Sequence, residues 1–127
     1  MIVVDTSAPV AIILGEPAGR ACLAVLERES EILISAATLA ELLVVAARRQ
    51  IAGEIGKLID SVGFETVTLT KSAAVAVGDA YRKWGKGFHP AGLNFGDCFA
   101  YVLAKESGCA LLFVGDDFSR TDVASAL

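Results

Sequence analysis

The sequence predicts an α/β fold: a parallel sheet covered by helices on both faces. Three observations predict it. Short apolar runs recur at Ile2-Val3-Val4, Glu31-Ile32-Leu33-Ile34, Phe64 to Leu69 and Leu111 to Val114. Longer segments between them read as helices. Apolar residues make up 54% of the 127 residues, enough to build one sizeable core. Short apolar strands separated by helices are the pattern of strands buried on both faces. The length suits a single domain covering residues 1–127.

The elements follow in order. Ile2-Val3-Val4 is a short buried strand. Pro9 falls in the first turn of a helix that Gly15 ends. A second helix follows Pro17, with Ala21, Leu23, Ala24, Val25 and Leu26 mostly inward. Glu31 to Ile34 is the second strand. Thr38 to Gln50 is a helix rich in Leu, Val and Ala, and another covers about Ile51 to Val62. Phe64 to Leu69 alternates as a strand does, with Thr66 and Thr68 out of phase with Val67 and Leu69. Lys71 to Trp84 is helical. Gly85 to Leu93 is a loop with Gly85, Gly87, Pro90 and Gly92. Asn94 to Ser107 is a strongly apolar helix, Leu111 to Val114 a buried strand, and Gly115 opens a polar loop.

Composition excludes several classes. The longest charge-free apolar stretches, Ala8 to Gly15, Leu42 to Ala47 and Cys109 to Gly115, fall far short of the roughly 20 residues of a membrane span. The start lacks a basic segment and carries Asp5 before the apolar run, unlike a secretory signal. The net charge of −4 is opposite to that of a dedicated duplex-DNA binder. Cys22, Cys98 and Cys109 form no C-x-x-C pair, and an odd count argues against a disulfide framework. A reduced, cytoplasmic protein is expected.

In parallel α/β sheets, ligands bind outside the carboxyl ends of the strands. Acids collect there. Asp5 follows the first strand, Glu41 lies one turn into the helix after the second, Asp97 opens a later helix, and Asp116 and Asp117 follow the last clear strand. Glu41 is the one charge between Glu31 and Arg48, and Asp97 the one charge between Lys86 and Lys105. A lone acid in an apolar helix is costly without a partner. Taking Asp5, Glu41, Asp97 and one of Asp116 and Asp117 from the 15 acids leaves 11, equal to the 11 bases. The whole net charge can therefore sit in one pocket. A divalent cation is the usual remedy for such repulsion, and an all-oxygen set suits Mg²⁺ or Mn²⁺. With His89 the one histidine and no Cys pair, zinc is disfavoured. Each acid also has a structural reading. Asn94-x-x-Asp97 and Thr38-x-x-Glu41 are both capping-box patterns, and Asp5, Asp116 and Asp117 suit turns.

These segments resemble the PIN-domain nucleases, and within them the VapC-type toxins of toxin–antitoxin pairs. The resemblance is carried by Val4-Asp5-Thr6-Ser7-Ala8, Ala37-Thr38-Leu39-Ala40-Glu41, Leu93-Asn94-Phe95-Gly96-Asp97-Cys98-Phe99-Ala100-Tyr101 and Gly115-Asp116-Asp117-Phe118-Ser119-Arg120-Thr121-Asp122-Val123. It covers nearly the whole chain. It implies a three-layer α/β/α fold with a parallel sheet of about four to five strands. It implies a metal-dependent endoribonuclease held inactive by a cognate antitoxin. Carried over by position, the metal ligands are Asp5 and Asp97, and Glu41 is the helix acid. Asp117 aligns with a common D-F pair, with Asp116 beside it as the alternative. The chain stops at Leu127, so a last strand is expected to be short.

Around that site, Thr6, Ser7 and Asn94 are candidate supporting groups, able to hydrogen-bond the acids or, for Thr6 and Ser7, a phosphate. Arg82, Lys83, Lys86 and His89 are candidates for holding an RNA backbone, with Trp84 and Phe88 interleaved as stacking groups. The alternative for them is a solvated helix end with the indole tucked into the core. Arg48 and Arg49 complement a helix C-terminus, and Cys98 and Cys109 fill core space. A homodimer with no membrane association is expected, because the helices at Pro17 to Ser30 and Thr38 to Val62 carry more apolar surface than a small monomer hides. Two other functions compete. One is a non-catalytic interaction module that keeps the pocket. The other is a metal-dependent phosphohydrolase or receiver-type domain using Asp5. Aspartyl-phosphate phosphatases usually need a second Asp two residues on, where this chain has Ser7, and a receiver needs an acid pair that is absent here.

Overall fold

Ile2, Val3 and Val4 form β1 (Ile2–Val4), buried along its whole length, and Asp5 ends it. A computed structural model describes residues 1–127. α1 (Ser7–Leu14) accommodates Pro9 in its first turn, where a missing N–H costs nothing. Gly15 ends it with φ 66°, a left-handed cap that most side chains resist. α2 (Gly19–Arg28), β2 (Ile32–Ser35), α3 (Ala36–Arg48), α4 (Ala52–Val62), β3 (Glu65–Val67), α5 (Lys71–Trp84), α6 (Phe95–Ser107) and β4 (Ala110–Leu112) follow.

The four strands lie in the order β3-β2-β1-β4, all parallel, with β1 central. Side chains on a strand alternate between faces, and the two cores divide accordingly. Val3, Leu33 and Leu111 pack with Val77 and Ala80 of α5 and with Ala100, Leu103 and Ala104 of α6. Ile2, Val4, Ile32, Ile34 and Leu112 pack on the other face with Ala8 of α1 and Cys22, Val25 and Leu26 of α2. The sheet is thus the middle of three layers. A smaller cluster of Leu42, Ala46, Ile51 and Ile55 joins α3 to α4. No single helix is long and apolar enough to cross a membrane.

Several boundaries differ from those the sequence predicts. β2 runs on to Ser35, and α3 starts two residues before Thr38, because Ser35 Oγ accepts from Ala37 N at 3.3 Å and caps the helix. Thr38 therefore lies inside the helix, fully buried with its Oγ1 unpaired, and the Thr38–Glu41 capping box does not form. α3 ends at Arg48 rather than Gln50, where φ turns to 58°. β3 is confined to Glu65–Val67. It is an edge strand with Glu65 and Thr66 exposed, and Thr70 caps α5 by accepting from Ala73 N at 3.1 Å. Beyond β4, pairing is reduced to a single parallel bridge, Leu111 with Ser125.

Candidate metal centre

Because β1, β2 and β4 are parallel, their carboxyl ends share one edge, and the segments leaving them converge there. Asp5 leaves β1, Asp117 follows β4, Glu41 comes from α3, and Asp97 is the third residue of α6. These four acids line one cleft of about 320 Å³, together with Thr6, Ser7 and Asn94. Val10, Val45 and Val114 supply its apolar wall.

Hydrogen bonds set the carboxylates of Asp5, Glu41 and Asp97. Asp5 Oδ2 accepts from Ser7 N at 3.1 Å and from Ser7 Oγ at 2.6 Å. Ser7 Oγ in turn accepts from Val114 N at 3.0 Å, tying the ends of β1 and β4 together through one hydroxyl. Thr6 Oγ1 donates to Glu41 Oε1 at 2.9 Å. Asn94 and Asp97 form a full capping box: Asp97 N donates to Asn94 Oδ1 at 2.8 Å, and Asn94 N donates to Asp97 Oδ2 at 3.0 Å. The cap reading of Asn94 and Asp97 is thus correct as geometry, and Asp97 also faces the cleft. Gly96 sits where α6 meets Glu41, and a Cβ there would lie 1.9 Å from Glu41 Oε2. Glycine there leaves room for the Glu41 carboxylate in its present position beside α6.

The cleft is electrostatically strained without a counter-ion. Burial, then repulsion from Asp5, Asp117 and Glu41, outweighs the hydrogen bond from Asn94 and pushes the Asp97 carboxyl up to about 7. Burial likewise raises Asp5, against the hydrogen bonds from Ser7 that lower it and with a smaller contribution from Glu41. Asp5 Oδ1 is buried with no hydrogen-bond partner. A buried carboxylate oxygen left unpaired is costly, and in an all-oxygen pocket a hard divalent cation fits it. No three acid, His or Cys side chains stand close enough to enclose an ion by themselves.

The remaining sequence candidates lie elsewhere. Asp116 is exposed and outside the cleft lining; its carbonyl accepts from Ser119 N and Oγ. Arg82 pairs with Asp79 on the surface of α5. Lys83 Nζ lies 5.1 Å from the Trp84 ring. Lys86 is exposed, and His89 accepts from Ala91 N at Nδ1 and packs edge-on against Trp84. None of these four lines the cleft. Trp84 is half-buried and its Nε1 donates to Tyr101 OH at 2.9 Å, while Phe88 is 62% exposed. Sequence reasoning missed Glu16, which also lines the cleft. It follows a helix cap rather than a strand, so the strand-end rule passes over it. Gly96 was missed as well, its only signal being a glycine inside an otherwise apolar helix.

Comparison with known proteins identifies the family to which this fold belongs. The PIN domain family matches residues 2–124. Ribonuclease VapC42 of Mycobacterium tuberculosis is 39% identical over 129 residues, covering 98% of both chains. Ribonuclease VapC30 of the same organism is 42% identical over 127 residues, covering 98% of this chain and 97% of its own. Among solved structures, Mycobacterium tuberculosis VapC20, described as a sarcin-ricin loop cleaving toxin, superposes with a TM-score of 0.79 at 15% identity, covering 99% of this chain and 98% of that one. A toxin–antitoxin complex from Klebsiella pneumoniae gives 0.72 at 15% identity, covering 96% and 93%. At such identities these structures speak for the fold. By sequence and by fold, the chain belongs to the PIN-domain family and stands among the VapC ribonucleases.

Proposed function

We propose that this chain, as a single domain of residues 1–127, is a divalent-metal-dependent endoribonuclease and the toxin of a toxin–antitoxin pair. The observation that carries the reading is the unpaired, buried Asp5 Oδ1 in a cleft shared with Asp97, Glu41 and Asp117. The relatives named as ribonucleases support it. So does the likeness to toxin–antitoxin complexes, one of them VapBC2 from Rickettsia felis bound to a DNA fragment from their promoter.

Asp5 and Asp97 would hold Mg²⁺, or Mn²⁺ as the other ion of the same class, with Glu41 and Asp117 as the supporting acids of the cleft. Asp117 rather than the exposed Asp116 serves the site. A bound ion of this kind lowers the pKa of a water and offsets the charge that develops on a phosphodiester. Ser7 fixes the Asp5 carboxylate, Thr6 fixes Glu41, and Asn94 fixes Asp97. Arg82, Lys83, Lys86 and His89 hold the RNA backbone beyond the acidic cleft. The chain works in the cytoplasm as a homodimer, using the exposed Leu43 and Val44 of α3. A cognate antitoxin lays an apolar helix on the toxin and brings a basic side chain into the cleft.

Partner-free protein incubated with a panel of structured RNAs tests the reading. Cleavage in Mg²⁺ that EDTA abolishes is expected. No cleavage of any RNA in either ion leaves the interaction-module reading in its place. For the antitoxin, removing its basic residues one at a time should restore cleavage; full inhibition with all of them removed makes the block steric.

A further inference from the structure

Among the cleft acids Asp5, Glu41, Asp97 and Asp117, Asp117 alone lies outside both the regular elements and their immediate ends. Asp5 directly follows β1, and Glu41 and Asp97 are on helices. Asp117 is carried by the irregular chain between β4 and the C-terminus, so its place depends on what holds that loop. Two anchors do so. Phe118 is 2% exposed and packs against Phe113, with ring centroids 5.0 Å apart. At the far end, both oxygens of Asp122 are held by α6: Tyr101 OH donates to Oδ1 at 2.6 Å, and Lys105 Nζ lies 3.2 Å from Oδ2. Between the anchors, Thr121 N and Oγ1 both donate to Phe118 O, at 3.0 and 2.7 Å.

The direction of the chain of hydrogen bonds is fixed. Trp84 Nε1 is a donor only, and it donates to Tyr101 OH at 2.9 Å. The phenol proton is thereby directed at Asp122. Burial, then the Asp122 carboxylate, pushes the Tyr101 phenol up to about 12, so it stays a donor. The spacing on α6 gives the arrangement its reach. Asp97, Tyr101 and Lys105 are four residues apart, which places them along one side of the helix. One end of that stripe is in the cleft, and the rest grips the loop that carries Asp117.

We propose that Asp122 is a positioning residue: held by Tyr101 and Lys105, it registers the 115–123 loop on α6 and so sets Asp117 against Asp97 across the cleft. The inference rests on the metal-nuclease reading and adds to it residues outside the cleft that tune the affinity for the ion. Partners hydrogen-bonded to a ligand typically change metal affinity about 10–100-fold; Asp122 acts one step further out, through the loop, at about the lower end of that range.

The test uses the full chain and Mn²⁺ as the probe, titrated without RNA and followed by electron paramagnetic resonance. Asp122→Ala is the main variant, since Asp122 is 45% exposed and its loss spares the core. Tyr101→Phe is the second, and Val77→Ala, in the α5 core, is the control for general destabilisation. Asp122→Ala and Tyr101→Phe should bind Mn²⁺ about tenfold more weakly. They should need correspondingly more Mg²⁺ for half-maximal cleavage, with the KM for RNA unchanged at saturating metal. Val77→Ala should lose thermal stability and keep its Mn²⁺ affinity. If Tyr101→Phe does not fold, Asp122→Ala decides alone. Wild-type affinity in Asp122→Ala, or an equal loss in Val77→Ala, overturns the inference. A wild-type chain that neither binds Mn²⁺ nor cleaves RNA overturns the metal-nuclease reading and this inference with it. A wild type that does both, beside an indistinguishable Asp122→Ala, overturns this inference alone.

Discussion

Neutralising Asp97 should stabilise the metal-free protein, by an amount that depends on pH. The perturbation is Asp97→Asn, which removes the charge and keeps an oxygen to accept from Asn94 N, so the cap of α6 survives. The Asp97 carboxyl is pushed from an ordinary 3.8 up to about 7 by burial and by Asp5, Asp117 and Glu41. At ~1.4 kcal/mol for each tenfold change, that gap sets a ceiling of ~4 kcal/mol on the cost of ionising it in the fold. The residue is 8% exposed, but its cleft opens to water, which screens the repulsion and leaves about 2 kcal/mol. The sign follows from linkage. Below about pH 4 the acid is protonated folded and unfolded, and the variant gains nothing. Between about pH 4 and 7 the unfolded chain ionises while the folded one does not, so the wild type loses stability relative to the variant. Above about pH 7 the difference is constant. Thermal melts in EDTA should therefore show Tm of Asp97→Asn rising above wild type from pH 4 to pH 7, then holding a lead of about 6–10 °C. A lead that does not change with pH, or a variant less stable than wild type at pH 8, would refute the argument and make Asp97 chiefly a helix cap.

Gly96→Ala drives a Cβ into Glu41 Oε2, the end of a flexible side chain, so the carboxylate should swing aside at little cost in a urea melt while cleavage falls; wild-type cleavage by this variant would refute the placement of Glu41. Thr38→Val removes a buried hydroxyl with no partner, so stability should hold or rise by up to about 1 kcal/mol; a loss of about 1 kcal/mol would restore the capping role read from the sequence. Ser7→Ala breaks the link from Asp5 Oδ2 to Val114 N, and urea melts should record a loss of about 1–3 kcal/mol. The same variant should bind Mn²⁺ more weakly in titration.

Much of this was legible because the signals were periodic or chemically loud. Buried strands read as uninterrupted apolar runs, and Ile2-Val3-Val4 falls where expected. Asp5, Glu41 and Asp97 stood out as lone charges in apolar surroundings, and all three line one cleft. The misplacements have local causes. Ser35 could have been read as the last strand residue or as a cap, and it is both, which moved the start of α3 and removed Thr38 from its capping role. The β3 run was overextended because alternation continues through Thr68 and Leu69, although the neighbouring strand ends at Ser35 and offers no further partner. Glu16 and the Asp122–Tyr101–Trp84 chain were invisible for another reason: each depends on contacts between elements far apart in sequence, at residues whose types are ordinary on any surface.

The central claim is that the strand-end carboxylates hold a divalent cation with which the chain cuts RNA. Comparing wild type with Asp5→Asn under single-turnover conditions, on one RNA in Mg²⁺, tests it most directly. The asparagine can still accept from Ser7, so the local hydrogen bonds and the fold are retained while the charge is lost. The account predicts metal-dependent cleavage by the wild type, and cleavage reduced to the EDTA background in Asp5→Asn with its circular dichroism intact and its melting temperature not lowered. Cleavage by Asp5→Asn at the wild-type rate would contradict it.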